Sequence, residues 1–233
     1  MKAKSATLTS SRQRTTGKPA DGKRRPTARM PAAQRRAQIQ AKAFEFFSEY
    51  GLTAQTRALA EACGVSQRLL YSAFPNKAAL INAVYEAEIA GPFKAIWFVQ
   101  LRDRAVPLVD RLNSFYREYY DTILTRRWLR LFLYASLAEV EIAPTYISAI
   151  IRTLLQTIVE EAAFDCGQPM PANAALVQEA GWILHGNISH LAIRRHVYGD
   201  GTSIDVPRVI GLHVQAFLTT LPALLAAEAE AGR

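Results

Sequence analysis

Two things are scarce in this 233-residue sequence: cysteine, and any sustained strand signal. Cys63 and Cys166 are the only cysteines, both in apolar helical contexts and without CxxC or other metal spacing. That leaves no disulfide framework and no structural metal site, and buried thiols in a reducing cytoplasm are expected. Motifs of common chemistries are missing too: there is no GxxxxGK[ST], GxGxxG or HExxH, and no Glu-x-x-His pair for a di-iron bundle. His185 and His190 stand five residues apart, about 140° around a helix, and so share no face. No catalytic residue, cofactor or metal ligand is therefore expected.

Acidic residues are nearly absent from one end. Of the 28 basic residues eleven fall within the first 36, against Asp21 alone among the 20 acidic, a local charge of +10; the remaining 17 and 19 leave −2. The net +8 thus resides in a Ser/Thr/Lys/Arg/Pro-rich stretch with almost nothing apolar before Met30, which predicts a disordered basic tail over residues 1–32. It has no h-region and is no secretory signal. A polycation gripping phosphates, a solvated extension and an organellar transit segment share this composition.

What is present is helical periodicity. From Ala33 onward apolar residues recur at 3.6-residue spacing, and half of the sequence is hydrophobic, so an all-α protein with a sizeable core is expected. Gly51, Gly64 and Pro75 punctuate three short helices over residues 33–80, and about nine helices in all are expected, those over residues 81–233 forming a larger second domain. The run VIGLHVQAFLTTLPALLAA, residues 209–227, lacks charge and is long enough to cross a membrane. Its polar residues, and Ile210, Val214, Phe217, Leu221 and Leu224 at helical spacing, read instead as a buried interface helix, with no membrane partner.

The stretch GVSQRLLYSAFPNK, residues 64–77, has the form of a turn followed by a short reading helix. Thr56–Cys63, a Gly-Val turn and Ser66–Phe74 satisfy a helix-turn-helix, with Leu59, Ala60, Val65 and Leu70 inward and Gln67, Arg68, Leu69 and Ser72 outward. The longer segment TRALAEACGVSQRLLYSAFPNKAALINAVYE resembles the N-terminal domain of the TetR family of bacterial transcriptional regulators. It has that family's Thr-Arg-x-Leu-Ala, Gly-Val-Ser, Leu-Tyr-x-x-Phe and x-x-Lys-x-x-Leu pattern, over residues 35–86. Arg68 stands where the family usually has a small residue, and Ser72 and Ala73 stand where a bulky phosphate-contacting one is common.

The resemblance implies a ligand-responsive regulator, by family default a repressor, acting as a cytoplasmic homodimer on a double-stranded DNA operator and released by a small-molecule effector. Gln55, Thr56, Arg57, Gln67, Arg68, Leu69, Tyr71, Ser72 and Lys77 would contact DNA, with Tyr71 and Lys77 on phosphates. A pocket for an amphipathic or aromatic molecule is expected among Trp97, Phe115, Tyr119, Trp128, Phe132 and Tyr146. The last two helices would pair with those of a second copy through Ile183, Ile188, Leu191, Val214, Phe217 and Leu221, with Gly181, Gly186 and Gly211 allowing close approach. The rival readings are a helical enzyme and a protein-interaction module without sequence-specific DNA binding.

Overall fold

The computed structural model describes residues 30–138 and 142–231, and the basic segment before Met30 lies outside them. Residues 32–233 form one compact unit, with no strand among the described residues. The helices are α1 (Ala32–Tyr50), α2 (Thr56–Ala62), α3 (Gln67–Ala73), α4 (Lys77–Val84), α5 (Ile96–Leu101), α6 (Leu108–Thr122), α7 (Arg126–Leu137), α8 (Ile142–Tyr146), α9 (Arg152–Asp165), α10 (Ala174–His196) and α11 (Val206–Ala231). Two π-helical turns, Tyr85–Ala90 after α4 and Ile147–Ile151 between α8 and α9, interrupt the regular pitch.

α1 buries Ile39, Ala43 and Phe47, one residue per turn, against α2, α3, α4 and α7. It stops at Gly51, whose φ of 76° is reached without strain only by a residue lacking Cβ. α4 stops differently. The Gly91 amide bonds Glu86 O at 2.9 Å, and a Cβ at Gly91 would lie 2.8 Å from the carbonyl oxygens of Glu86 and Ala87. The glycine thus permits the wide turn, and Pro92 then prevents the helix from continuing.

Beyond it, Trp97 packs edge-on against Phe93, Phe115 and Tyr119 and fastens α5 to α6. The loop between these helices is held by a buried carboxylate. Glu161 on α9 accepts two hydrogen bonds from Arg104, at 3.1 and 3.0 Å, and one from Arg111 at 2.9 Å. Arg111, itself buried, also donates to the Leu101 and Val106 carbonyls. Burial alone would raise the Glu161 carboxyl, but the hydrogen bonds from the two guanidinium groups outweigh it and hold it below the usual carboxylate range.

α10 and α11 are long and pack on each other, on α6 and on α9. Val206–Glu228 within α11 is long and apolar enough to cross a membrane by length and composition, yet Ile210, Val214, Phe217, Leu221 and Leu225 form a stripe buried in the core. Gly181 serves the same packing: a Cβ there would lie 2.6 Å from Leu155 Cβ, so this glycine lets α10 close on α9 within the chain.

Removing Glu161 leaves Arg111 buried without a counter-charge, whereas Arg104 is half-exposed and can rehydrate. Glu161→Ala is therefore expected to lower the unfolding free energy by about 3–5 kcal/mol, read from the urea midpoint. Arg104→Ala is expected to move the urea midpoint much less, because its guanidinium is solvated.

Candidate nucleic-acid interface and internal cavity

The turn between α2 and α3 is closed by two backbone hydrogen bonds, Val65 N–H to Ala60 O at 3.0 Å and Gly64 N–H to Glu61 O at 2.9 Å, with Gly64 at φ 67°. This pair of bonds satisfies the last carbonyls of α2 and sets the direction in which the chain leaves. Ser66 then caps α3 by accepting a hydrogen bond from the Leu69 amide at 3.2 Å, and Asn76 caps α4 by accepting one from Ala79 at 2.8 Å. Leu70 and Phe74 bury one side of α3. The other side presents Gln67, Arg68, Tyr71 and Ser72 to solvent, with Leu69 half-buried.

Gln55 and Arg57 are exposed at the start of α2, and Thr56 is half-buried between them. Lys77 is half-buried. Its ammonium donates to Ala54 O at 2.6 Å, joining the α1–α2 loop to the start of α4, and partial burial lowers its pKa. Arg36 was not singled out by its sequence context. Its guanidinium donates to Ala73 O and lies 4.1 Å over the Phe74 ring, so it fixes the end of the exposed helix to α1.

A second site lies inside the helical bundle: a cavity of about 120 Å³ walled by α6, α7, α10 and the π-turn Ile147–Ile151. Of the aromatic residues singled out from the sequence, Tyr119, Trp128, Phe132 and Tyr146 line it, and Trp97 and Phe115 do not. Those two belong to the aromatic core joining α5 to α6, where the Trp97 indole donates to Glu118 at 2.7 Å. Trp182, His185 and Ser189 on α10 line it too. They escaped the sequence reading because an apolar helix with one polar residue per turn looks like ordinary core.

The cavity is mechanically tied to the exposed helix through α7. On one side of α7 Trp128 stacks on Phe132 at 4.7 Å and its indole donates to Ile89 O, in the π-turn that follows α4, at 3.3 Å. From the other side the Arg130 guanidinium donates to Ser48 O at 2.6 Å and to Glu49 O at 3.0 Å, the last carbonyls of α1. Arg126 pairs with the Glu49 side chain. Cations at the carbonyl end of a helix complement its dipole and its unpaired acceptors.

Five of the six expected pairing residues of α10 and α11 lie inside the chain rather than at its surface. Ile188, Leu191, Val214, Phe217 and Leu221 are each at most 2% exposed and pack within the chain, because their stripes face α6 and α9. Ile183 is exposed at 39%, as are Leu212 at 62% and Leu224 at 45% on α11.

Residues 39–84 match the model of the bacterial regulatory proteins of the tetR family. The chain carries a TetR-family DNA-binding domain. Solved TetR-family regulators share the fold well beyond that domain. One from Mesorhizobium loti MAFF303099 is 15% identical, with 82% of this chain and 98% of that one covered and a TM-score of 0.60. Another from Streptomyces coelicolor is 20% identical over 85% and 84%, with a TM-score of 0.57. AmtR from Mycobacterium smegmatis is 22% identical over 89% and 96%, with a TM-score of 0.58. No curated protein matches the chain. The TetR-like architecture, an N-terminal helix-turn-helix followed by a larger helical part, therefore holds for the whole described chain.

Burial pushes the His185 pKa down to about 4. An unfolded chain takes up this proton near the ordinary value of about 6.5, so unfolding binds protons between those two values, and stability falls as the pH drops from 6.5 towards 4. From pH 7 to pH 5 this histidine alone is expected to remove about 2 kcal/mol. His185→Phe should flatten that part of the stability–pH curve, as measured by urea unfolding at the two pH values.

Proposed function

We propose that this TetR-family protein is a ligand-responsive transcriptional repressor that binds a near-palindromic operator as a homodimer and releases it when a small molecule fills the cavity. The reading rests above all on one observation: a capped, rigidly seated α3 turns Gln67, Arg68, Tyr71 and Ser72 outward. Gln67 and Arg68 are the residues that can read adenine and guanine edges in bidentate fashion. Tyr71, 44% exposed, and Ser72 suit phosphate contacts, which position the helix without reading sequence. Thr56 and Arg57 flank them from α2, and Gln55 lies at its N-cap. Lys77 keeps two further ammonium protons beyond the one given to Ala54, and a phosphate can take them.

The homodimer rests on the outer faces of α10 and α11. Ile183, Leu212, Leu224 and the exposed Ala216 and Ala223 make these faces apolar, and half-exposed Gly186 and Gly211 allow backbones to approach. Two copies joined there present two α3 helices, and an operator with half-sites about one DNA turn apart follows.

The switch works through α7. A molecule entering the cavity displaces Trp128 and Phe132, and the same helix holds the end of the α4 segment through Ile89 and the end of α1 through Arg130. Effector binding then shifts the population away from the spacing that fits DNA, to the extent that the effector prefers that state. As a DNA-bound regulator the protein works in the cytoplasm. The enzyme and interaction-module alternatives gain no support from any particular residue.

The test is selection from a randomised duplex library followed by titration of the selected duplex. The expected result is a near-palindromic site bound by two copies, with Arg68→Ala weakening the selected duplex by about 1–3 kcal/mol while leaving unrelated DNA unaffected. Recovery of no common site, or equal loss on both duplexes, would overturn the reading.

A further inference from the structure

The cavity behind α7 restricts the chemistry of what can occupy it. Among the described residues its polar groups come from Tyr119, Tyr146, His185, Ser189 and the Trp128 and Trp182 indoles, and none of the lining residues is Lys, Arg, Asp or Glu. A carboxylate or an ammonium group entering it would lose its water shell and meet no counter-charge. The rest of the wall is aromatic and aliphatic, with Trp128 and Trp182 on opposite helices. At about 120 Å³ the space is slightly smaller than the roughly 150 Å³ apolar cavity that accommodates benzene.

The buried polar groups orient the occupant as well. Tyr119 and Tyr146 share one hydrogen bond at 3.4 Å, which uses one of their two hydroxyl protons. Tyr116 Oη lies 3.5 Å from His185 Nδ1 and has no other acceptor among the described residues, so its proton points at that nitrogen and the imidazole proton sits on Nε2. His185 is 3% exposed, and Nε2 has no hydrogen-bond partner among the described residues. An occupant carrying an oxygen acceptor would give this N–H a partner that the described residues do not supply. Burial also keeps the ring neutral, which withholds the positive charge that an acid would need.

We propose that the cavity walled by α7, α10 and the Ile147–Ile151 turn binds an uncharged molecule the size of a single six-membered ring, whose one carbonyl or hydroxyl oxygen accepts a hydrogen bond from His185. The inference rests on the regulatory reading only in calling this molecule the effector; the binding itself does not depend on DNA.

The experiment titrates the full-length protein, without DNA, with cyclohexanone, cyclohexane and cyclohexanecarboxylate, following tryptophan fluorescence and calorimetric heat. Cyclohexanone is expected to bind saturably, at least tenfold more tightly than cyclohexane, with no binding of the carboxylate. His185→Phe should remove the preference for the ketone over the hydrocarbon. Ser189→Trp, which fills the cavity from its half-exposed side, should abolish binding of both while the circular dichroism stays unchanged. Carboxylate binding as tight as that of the ketone, a ketone preference that survives in His185→Phe, or no binding of any probe would overturn the proposal. Ketone binding that leaves affinity for the selected duplex unchanged would instead sink the regulatory switch and leave the ligand chemistry standing.

Discussion

The guanidinium of Arg130 is a central link between the two ends of this molecule. The last carbonyls of a helix have no intrahelical partner and carry the negative end of its dipole. Arg130 supplies hydrogen bonds to two of them, Ser48 O and Glu49 O, from a helix that belongs to the larger helical part. α1 in turn carries the helix-turn-helix on its flank, and Arg36 ties it to the far end of α3. A charged hydrogen bond of this kind contributes about 1.5–3 kcal/mol, enough to make α1 follow α7 without locking the two together. The π-turns fall where such movement needs compliance: one ends the α4 segment at Gly91, the other forms a wall of the cavity.

The cavity sits on the opposite side of the same helix. Trp128 both lines the cavity and donates to Ile89 O, so an occupant that moves this indole disturbs the backbone after α4 as well. The lower part of the bundle is by contrast fixed. Glu161 and Arg111 clamp the α5–α6 loop to α9, and Gly181 brings α10 against Leu155. A stiff frame with one two-sided helix is a suitable arrangement for turning occupancy into a change at a distant surface, since packed interfaces switch between arrangements rather than deform continuously.

The fold class and the helix-turn-helix were legible in the sequence because they rest on local signals. Gly64 and Pro75 punctuate the helices as expected, and the Ser66 and Asn76 caps beside them likewise act within four residues. Four of the cavity aromatics were legible as well. Trp97 and Phe115 were not, because two large apolar residues on facing helices give the same pattern whether they close a core or border a space. The outward faces of α10 and α11 were read in reverse for the same reason. Val214, Phe217 and Leu221 form the stronger stripe, and a stripe does not say whether it meets its own chain or another. Long-range polar contacts such as Arg36 to Ala73 and Arg130 to Ser48 leave no periodic trace at all.

The central claim is that filling the cavity is felt at the DNA-contacting surface through α7, and it can be tested without any effector by filling the cavity with a side chain. The measurement is the affinity of Ile147→Trp for the selected operator duplex, alone and combined with Arg130→Ala, beside the parent chain. The account predicts that Ile147→Trp weakens operator binding at least tenfold with an unchanged helical spectrum, and that most of this effect disappears once Arg130 is removed. Parental affinity in Ile147→Trp, or an equal loss with and without Arg130, would contradict it.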